Sequence, residues 1–584
     1  MNRKQRRSAL KQSPPAGANR ASPASDPAGQ LFAQAERHQQ QNKLNEAARL
    51  YKRLLLLKPD HAQACNNLGV VLQAQGKLSE ASASFAKSLA LLPQLFEQFT
   101  AIFNTLAAVL PPIGEAMRRA AGAWPNRLTV TQLFGAAGLA AISGDPLLLC
   151  LLQSVPTRNL ELERLLTSLR LSLLDTAAGA GEPAAQPTLA FCCAMAKQCF
   201  INEYVFATTP DEDAQIDRLK AMLGDALSAS AAIAPLRLAA LAMYLPLHTL
   251  PDADALLAHA WPPAVDDVLT QQLREPLQEL QLRATIPRLT PIEDDVSQRV
   301  RQQYEENPYP RWVNIAGGIS PISLDMQLRD QFPTVAITPL GKTESLDVLI
   351  AGCGAGLQSA QVTQGYLGAR VLAVDLSLSS LCYAKRKTPA WLSDRVEYVQ
   401  GDILKLGAIG RSFDLIECTG VLHHMGDPLE GWRILLSLLR LGGFMHLAFY
   451  SEIARRDVAA ARTFIAERGY ASTPADIRRC REDLLKTPLG SVSRFTDFFS
   501  TSECRDLLFH VQESRMTIPV IKAFIDGHGL KFIGFDFKDD AAKKFRALFA
   551  ANGWSMSDLD KWHAVETQHP DTFSGMYQLW VQKS

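Results

Sequence analysis

The residues best suited to chemistry stand at the ends of short apolar runs. Leu346-Asp347-Val348-Leu349-Ile350-Ala351 flows straight into Gly352-Cys353-Gly354-Ala355-Gly356. Glycines there let the backbone turn sharply and let a ligand approach it with no Cβ in the way. A second run, residues 369–374, ends in Asp375 and Leu376. A carboxylate at such a strand tip can accept hydrogen bonds from both ribose hydroxyls of an adenosine. A third run, residues 395–399, leads to Gly401-Asp402-Ile403, a second carboxylate well placed for the exocyclic amine of adenine. A fourth, residues 412–418, is followed by Thr419-Gly420-Val421-Leu422-His423-His424-Met425. His423, the leading choice, and His424 are the nearest candidates for proton transfer, needed only where the nucleophile is protonated at neutral pH. The competing role for each is structural, at the start of a helix.

Strand, glycine turn and helix (LQSAQVTQGYLG) make the first unit of a doubly wound α/β sheet. A dinucleotide-binding enzyme shares that turn, but here Leu357 stands where such a site wants its third glycine. A fifth strand, residues 444–450, follows Leu441-Gly442-Gly443, and residues 530–535 and 577–581 are candidates for a closing antiparallel pair. This series resembles the class I S-adenosylmethionine-dependent methyltransferases, closely over residues 336–450 and more loosely to residue 584. The resemblance implies a Rossmann-like seven-stranded sheet ending in an antiparallel hairpin, and S-adenosylmethionine as cofactor. It implies cofactor contacts from Gly352, Cys353, Gly354, Gly356, Asp375, Leu376, Gly401, Asp402, Ile403 and Thr419, and no metal. One departure stands out. The family commonly has Asp or Glu two residues before the first glycine, and this chain has Ile350, so the cofactor's ammonium group needs another partner.

Ahead of this domain lies Tyr304-Glu305-Glu306-Asn307-Pro308-Tyr309-Pro310-Arg311-Trp312, whose prolines and aromatics define an ordered, non-helical turn. A repeat region, this segment and a methyltransferase fold together are similar to bacterial repeat-containing methyltransferases. The segment is expected either as a lid, with Tyr304 or Arg311 touching ligand, or as a hydrophobic clasp between domains. Residues 451–528 read as a helical cap at the carboxyl end of the sheet, where open α/β folds bind ligands. Phe495, Phe498, Phe499 and His510 of that cap either face substrate or belong to the core.

The rest of the chain reads as helical. Residues 1–29 form a basic tail too poor in apolar surface to offset its ordering entropy. Ala35, Ala47, Tyr51 and Pro59 recur 34 residues on as Gly69, Ala81, Phe85 and Pro93, a helix–turn–helix period with small residues where helices touch. Over residues 31 to about 94 this resembles the tetratricopeptide repeat family. We assign 30–127 to two clear repeats and a degenerate one, 128–290 to an all-helical domain, 291–335 to the connecting or lid segment and 336–584 to the methyltransferase domain. The repeats imply a protein or peptide partner, or else a packing adaptor.

Composition bounds the function. Lys+Arg is 60 against Asp+Glu at 59, which argues against a chain-wide grip on nucleic acid or anionic membrane. No run is long enough to span a bilayer. The ten cysteines show no metal-like spacing, and Arg6-Arg7 lacks the apolar stretch of an export signal, so the expectation is a reduced, cytoplasmic protein. Three functions remain open: methylation of a protein or peptide selected by the repeats, methylation of a small molecule or RNA with the repeats serving assembly, or a scaffold without cofactor.

Overall fold

The structure, a computed structural model, describes residues 27–92, 99–179, 185–229, 231–315, 320–537 and 539–584. Nearly all of the expected basic tail therefore lies outside the described residues, and residues 27–29 open the first helix. The chain forms two compact units, residues up to 198 with 232–243, and residues 199–231 with 244–584.

The first unit is helical. Helices α1 (Pro27–Gln40), α2 (Leu44–Leu57), α3 (Ala62–Ala74) and α4 (Leu78–Leu91) each pack on the next. Small residues set the spacing. A Cβ on Gly69 would lie 2.7 Å from the buried Phe85 ring. Asn42 (φ 58°) and Gly76 (φ 77°) make the tight turns ahead of α2 and α4 at equivalent positions of the 34-residue period. Helices without strands continue through Leu160–Gly179, and no strand precedes Leu346 among the described residues. No single helix among them is long and apolar enough to cross a membrane.

The segment 128–290, expected as one domain, is divided between the two units. Ion pairs tie its end to the second unit. Glu275 and Glu279, one turn apart, both pair with Arg386, at 2.9 and 2.8 Å.

The second unit is an eight-stranded sheet, one strand more than expected: β1 (Leu346–Ala351), β2 (Ala369–Asp375), β3 (Val396–Gln400), β4 (Phe413–Cys418), β5 (Leu439–Ser451), β6 (Arg515–Met516), β7 (Leu530–Phe535) and β8 (Met576–Lys583). The order is β3-β2-β1-β4-β5-β8-β7, with the two-residue β6 pairing β5. The strands β1 to β5 are parallel, and β8 is antiparallel to both β5 and β7. Each central strand is buried on both faces, as covered parallel sheets require. Leu349, Ala351, Val374 and Ile416 face one core; Val348, Ile350, Ala373 and Leu415 face the other.

Helices α5 (Asp295–Glu306), α6 (Leu357–Gly365), α7 (Leu378–Lys387) and α8 (Pro428–Leu438) flank the sheet. After β5 come α9 (Arg456–Arg468), α10 (Pro474–Leu485) and α11 (Thr501–Phe509). The expected cap is shorter than 451–528, because α12 (Ile518–Gly527) buries Ile521, Phe524 and Ile525 in the sheet's own core.

Candidate functional site

A cavity of about 400 Å³ opens at the carboxyl ends of the strands, within the range that holds cofactor-sized ligands. The glycine turn forms its floor. Gly352 (φ 81°) has no room for a side chain, since a Cβ would meet Val421 at 2.3 Å; at Gly354 (φ 50°) it would meet the Tyr309 carbonyl oxygen at 2.4 Å. Side-chain-free backbone therefore faces the cavity here, alongside Cys353, whose thiol burial pushes well up and keeps protonated.

The two expected carboxylates both line this cavity. Asp375 ends β2; its Oδ2 accepts from the Gly354 N–H at 2.7 Å and its Oδ1 from the Ser377 N–H at 2.8 Å. Burial pushes its carboxyl up to about 6, against those backbone donors, which favour ionisation, while Glu305 adds a smaller upward push. Asp402 follows β3. Its Oδ1 accepts from the Leu404 N–H at 3.0 Å, and its buried Oδ2 makes no hydrogen bond of good geometry among the described residues. Burial raises this carboxyl too, against the Leu404 N–H and the nearby Ser297 hydroxyl. An unsatisfied buried carboxylate oxygen in a cavity wall is the feature an amine donor would complete.

Leu376, Gly401, Ile403, Thr419 and Tyr304 also line the cavity. Two expected residues do not. Gly356 (φ 85°) packs the turn onto α7, where a Cβ would meet Ala384 at 2.5 Å. His423 is fully buried away from the cavity, its ring 3.6 Å from that of Tyr450. The histidine in the wall is its neighbour, His424.

The YEENPYPRW segment, expected as a non-helical turn, begins in the last turn of α5, and its remainder packs against the glycine turn within the second unit. Tyr304, Tyr309 and Pro310 line the cavity. The Tyr309 carbonyl accepts from the Ala355 N–H at 3.2 Å, and the Trp312 indole donates to the Ala355 carbonyl at 2.7 Å. Arg311 stands outside the cavity and pairs with Glu203 at 3.2 Å. The cap aromatics do not reach ligand space: Phe498, Phe499 and His510 are core, and Phe495 is half-buried outside the wall.

Sequence reasoning missed one network. Glu417 of β4 accepts from His446 Nδ1 of β5 at 2.7 Å and from Gln358 Nε2 of α6 at 2.9 Å; Thr419 donates to Gln358 Oε1 at 3.0 Å. Gln358, Thr419 and His446 line the cavity. Burial opposes the charged imidazolium of His446, but Glu417 and then Asp536 outweigh it and the pKa is raised. An acidic residue inside the apolar run of β4 was the available signal, since a buried polar group is the informative exception.

His424, Asp506 and His510 place donor atoms within 4.8 Å of one another, close enough to suggest a metal site. The hydrogen bonds argue otherwise. The Gln512 N–H donates to His510 Nδ1 at 3.0 Å, so the proton of neutral His510 sits on Nε2. That Nε2 lies 3.1 Å from the Tyr304 hydroxyl, which donates to Asp506 Oδ1 at 2.6 Å.

These features define a nucleoside-binding crevice on an open α/β sheet. Residues 349–447 match the family model described as a methyltransferase domain. That stretch is a methyltransferase domain, and its cofactor is S-adenosylmethionine. The chain is 27% identical over 268 residues to an uncharacterized protein of Synechococcus sp., covering 42% of this chain and 61% of that one. It thus spans about three-fifths of that relative's length. It is 29% identical over 177 residues to the ubiquinone biosynthesis O-methyltransferase of Coxiella burnetii, covering 30% of this chain and 71% of that one. Among solved structures it is similar to PKMT2 from Rickettsia typhi in complex with AdoHcy, at 18% identity and a TM-score of 0.35, over 44% of this chain and 53% of that one.

The residues present fit this cofactor. Asp375 would hold the ribose hydroxyls, Asp402 Oδ2 the adenine amine, and the bare backbone at Gly352 and Gly354 would lie against the remainder.

Proposed function

We propose that the whole protein is an S-adenosylmethionine-dependent methyltransferase acting on a small molecule, with a tetratricopeptide-type helical region that recruits a protein partner. The observation carrying this reading is the unsatisfied Asp402 Oδ2 in the same cavity wall as Asp375 and the glycine turn. The cofactor supplies an activated methyl group on a sulfonium centre. The chain's own residues then have to bind, align and exclude water, because transfer needs the nucleophile in line at about 3–3.5 Å. Across the sheet, the two carboxylates stand over β2 and β3, while Thr419, His446 and Gln578 line the cavity over β4, β5 and β8. The acceptor belongs on this second side, with Tyr304, Tyr309 and Pro310 as part of its cover. The naming of the Coxiella relatives for O-methylation in ubiquinone biosynthesis supports a small acceptor.

A peptide acceptor is the second reading, favoured by the repeated turn geometry of Asn42 and Gly76. Incubating the full chain with methyl-labelled cofactor and a cell lysate separates the two. Label in the deproteinised, nuclease-treated small-molecule fraction supports the first; label in protein supports the second, and label in RNA contradicts both.

A further inference from the structure

A single backbone unit fixes the protons on two stacked histidines. The Gln512 carbonyl can only accept, so His424 Nδ1, 2.8 Å away, carries a hydrogen. The Gln512 N–H can only donate, so His510 Nδ1 carries none. The rings lie face to face, 3.5 Å apart, in opposite tautomers. His510 therefore presents Nε2–H to the Tyr304 hydroxyl, while His424 presents an Nε2 lone pair. That nitrogen makes no hydrogen bond among the described residues, and its nearest carboxylate oxygen is Asp506 Oδ1 at 3.8 Å. His424 also lines the cavity, which His423 and His510 do not.

We infer that His424 Nε2 is the general base of the reaction, and that the acceptor is a hydroxyl whose proton it removes as the methyl group is transferred. This rests on the methyltransferase reading above. The acceptor oxygen bonds to the methyl carbon as the carbon–sulfur bond breaks. The sulfur leaves as a neutral thioether, and the hydroxyl proton passes to His424 Nε2, which returns it to solvent between turnovers. Asp506 stands where it stabilises the imidazolium formed, and Gln512 holds the tautomer; both are positioning residues.

The surroundings agree with a base that is neutral at rest. Burial lowers the His424 pKa, Asp506, the Gln512 carbonyl and Glu513 oppose that shift, and Arg455 adds to it. The other titratable groups facing it are His423, His510 and Tyr450. A carboxylate acceptor would need no base, and a neutral amine attacks through its own lone pair. A hydroxyl is the acceptor that gains most from a positioned imidazole.

His424→Asn tests this, because the Asn amide can still donate to the Gln512 carbonyl while the base is gone. With the full chain, labelled cofactor and a deproteinised lysate extract, turnover should fall on the order of 10²–10⁴-fold, with S-adenosylhomocysteine affinity within about twofold of wild type. The product should be an ether, its label retained in alkali. Nitrogen-15 histidine spectra of wild type should show His424 with Nδ1–H and His510 with Nε2–H at neutral pH. Turnover by the variant within tenfold of wild type, an alkali-labile ester, or a His424 carrying its proton on Nε2 would each overturn the assignment. Failure of wild type to bind S-adenosylhomocysteine would instead remove the methyltransferase reading beneath it.

Discussion

Glu417 of β4 stands in register beside Ile350 of β1. Ile350 occupies the position where a carboxylate was expected for the cofactor's ammonium group, and it is buried in the core instead. A carboxylate is present after all, one strand over, tied to His446 and Gln358 at the cavity edge.

Removing that charge has a signed pH consequence. The pKa of His446 in the folded protein is raised mainly by Glu417, against burial. The stability this pair contributes is fully present below the unfolded histidine value of about 6.5 and is lost as pH rises through the folded value. Glu417→Gln should therefore destabilise by about 3–5 kcal/mol at pH 6 and by less at pH 9. Urea unfolding at the two pH values measures it; an equal loss at both would contradict the assignment.

Cofactor affinity should depend on pH through Asp375, whose carboxyl burial pushes up to about 6. The ionised form accepts the ribose hydroxyls, so affinity for S-adenosylhomocysteine should be full above about pH 7 and fall towards tenfold per unit below about pH 6. Calorimetry across pH 5 to 8 reads this directly, and a flat profile would refute it.

Gly354→Ala should act through backbone contact. Its Cβ would lie 2.4 Å from the Tyr309 carbonyl oxygen at a φ of 50°. The Tyr309 segment must shift, with a loss of about 1–3 kcal/mol and at least tenfold weaker cofactor binding. Gly410→Ala is the control, since its φ of 67° is similar but nothing lies within 4 Å. It should lose about 1 kcal/mol and leave binding unchanged.

In the first unit, Gly69→Leu drives a side chain into the Phe85 ring. Overpacking of this kind costs about 1–3 kcal/mol. Thermal unfolding should show an earlier transition, with binding of S-adenosylhomocysteine retained below it. Loss of that binding in the still-folded protein would contradict the confinement of the effect to the helical unit.

Asp375, Asp402 and the glycine turn were legible because each ends an apolar run, so sequence position alone puts them at the carboxyl edge of a sheet. His423 and His424 were not separable, because adjacent residues in a short 3-10 turn (Leu422–His424) differ only in which way the ring points. The Glu417–His446 contact joins neighbouring strands, and its register is invisible until the sheet is assembled. The cap phenylalanines stayed open for a related reason: an aromatic in a loop-rich segment reads the same whether it faces a ligand or, like Phe498, is buried in the protein. The division of 128–290 between two units was not legible, because contacts such as the Glu275 and Glu279 pairs with Arg386 span about a hundred residues of sequence.

The most direct test is calorimetric titration of S-adenosylhomocysteine into the full chain and its Asp375→Ala variant. We expect one molecule bound per wild-type chain and affinity at least tenfold weaker in the variant, the loss of a hydrogen bond to a charged group being worth about 1.5–3 kcal/mol. No binding by wild type, or equal binding by both, would contradict an adenosine site at the tip of β2.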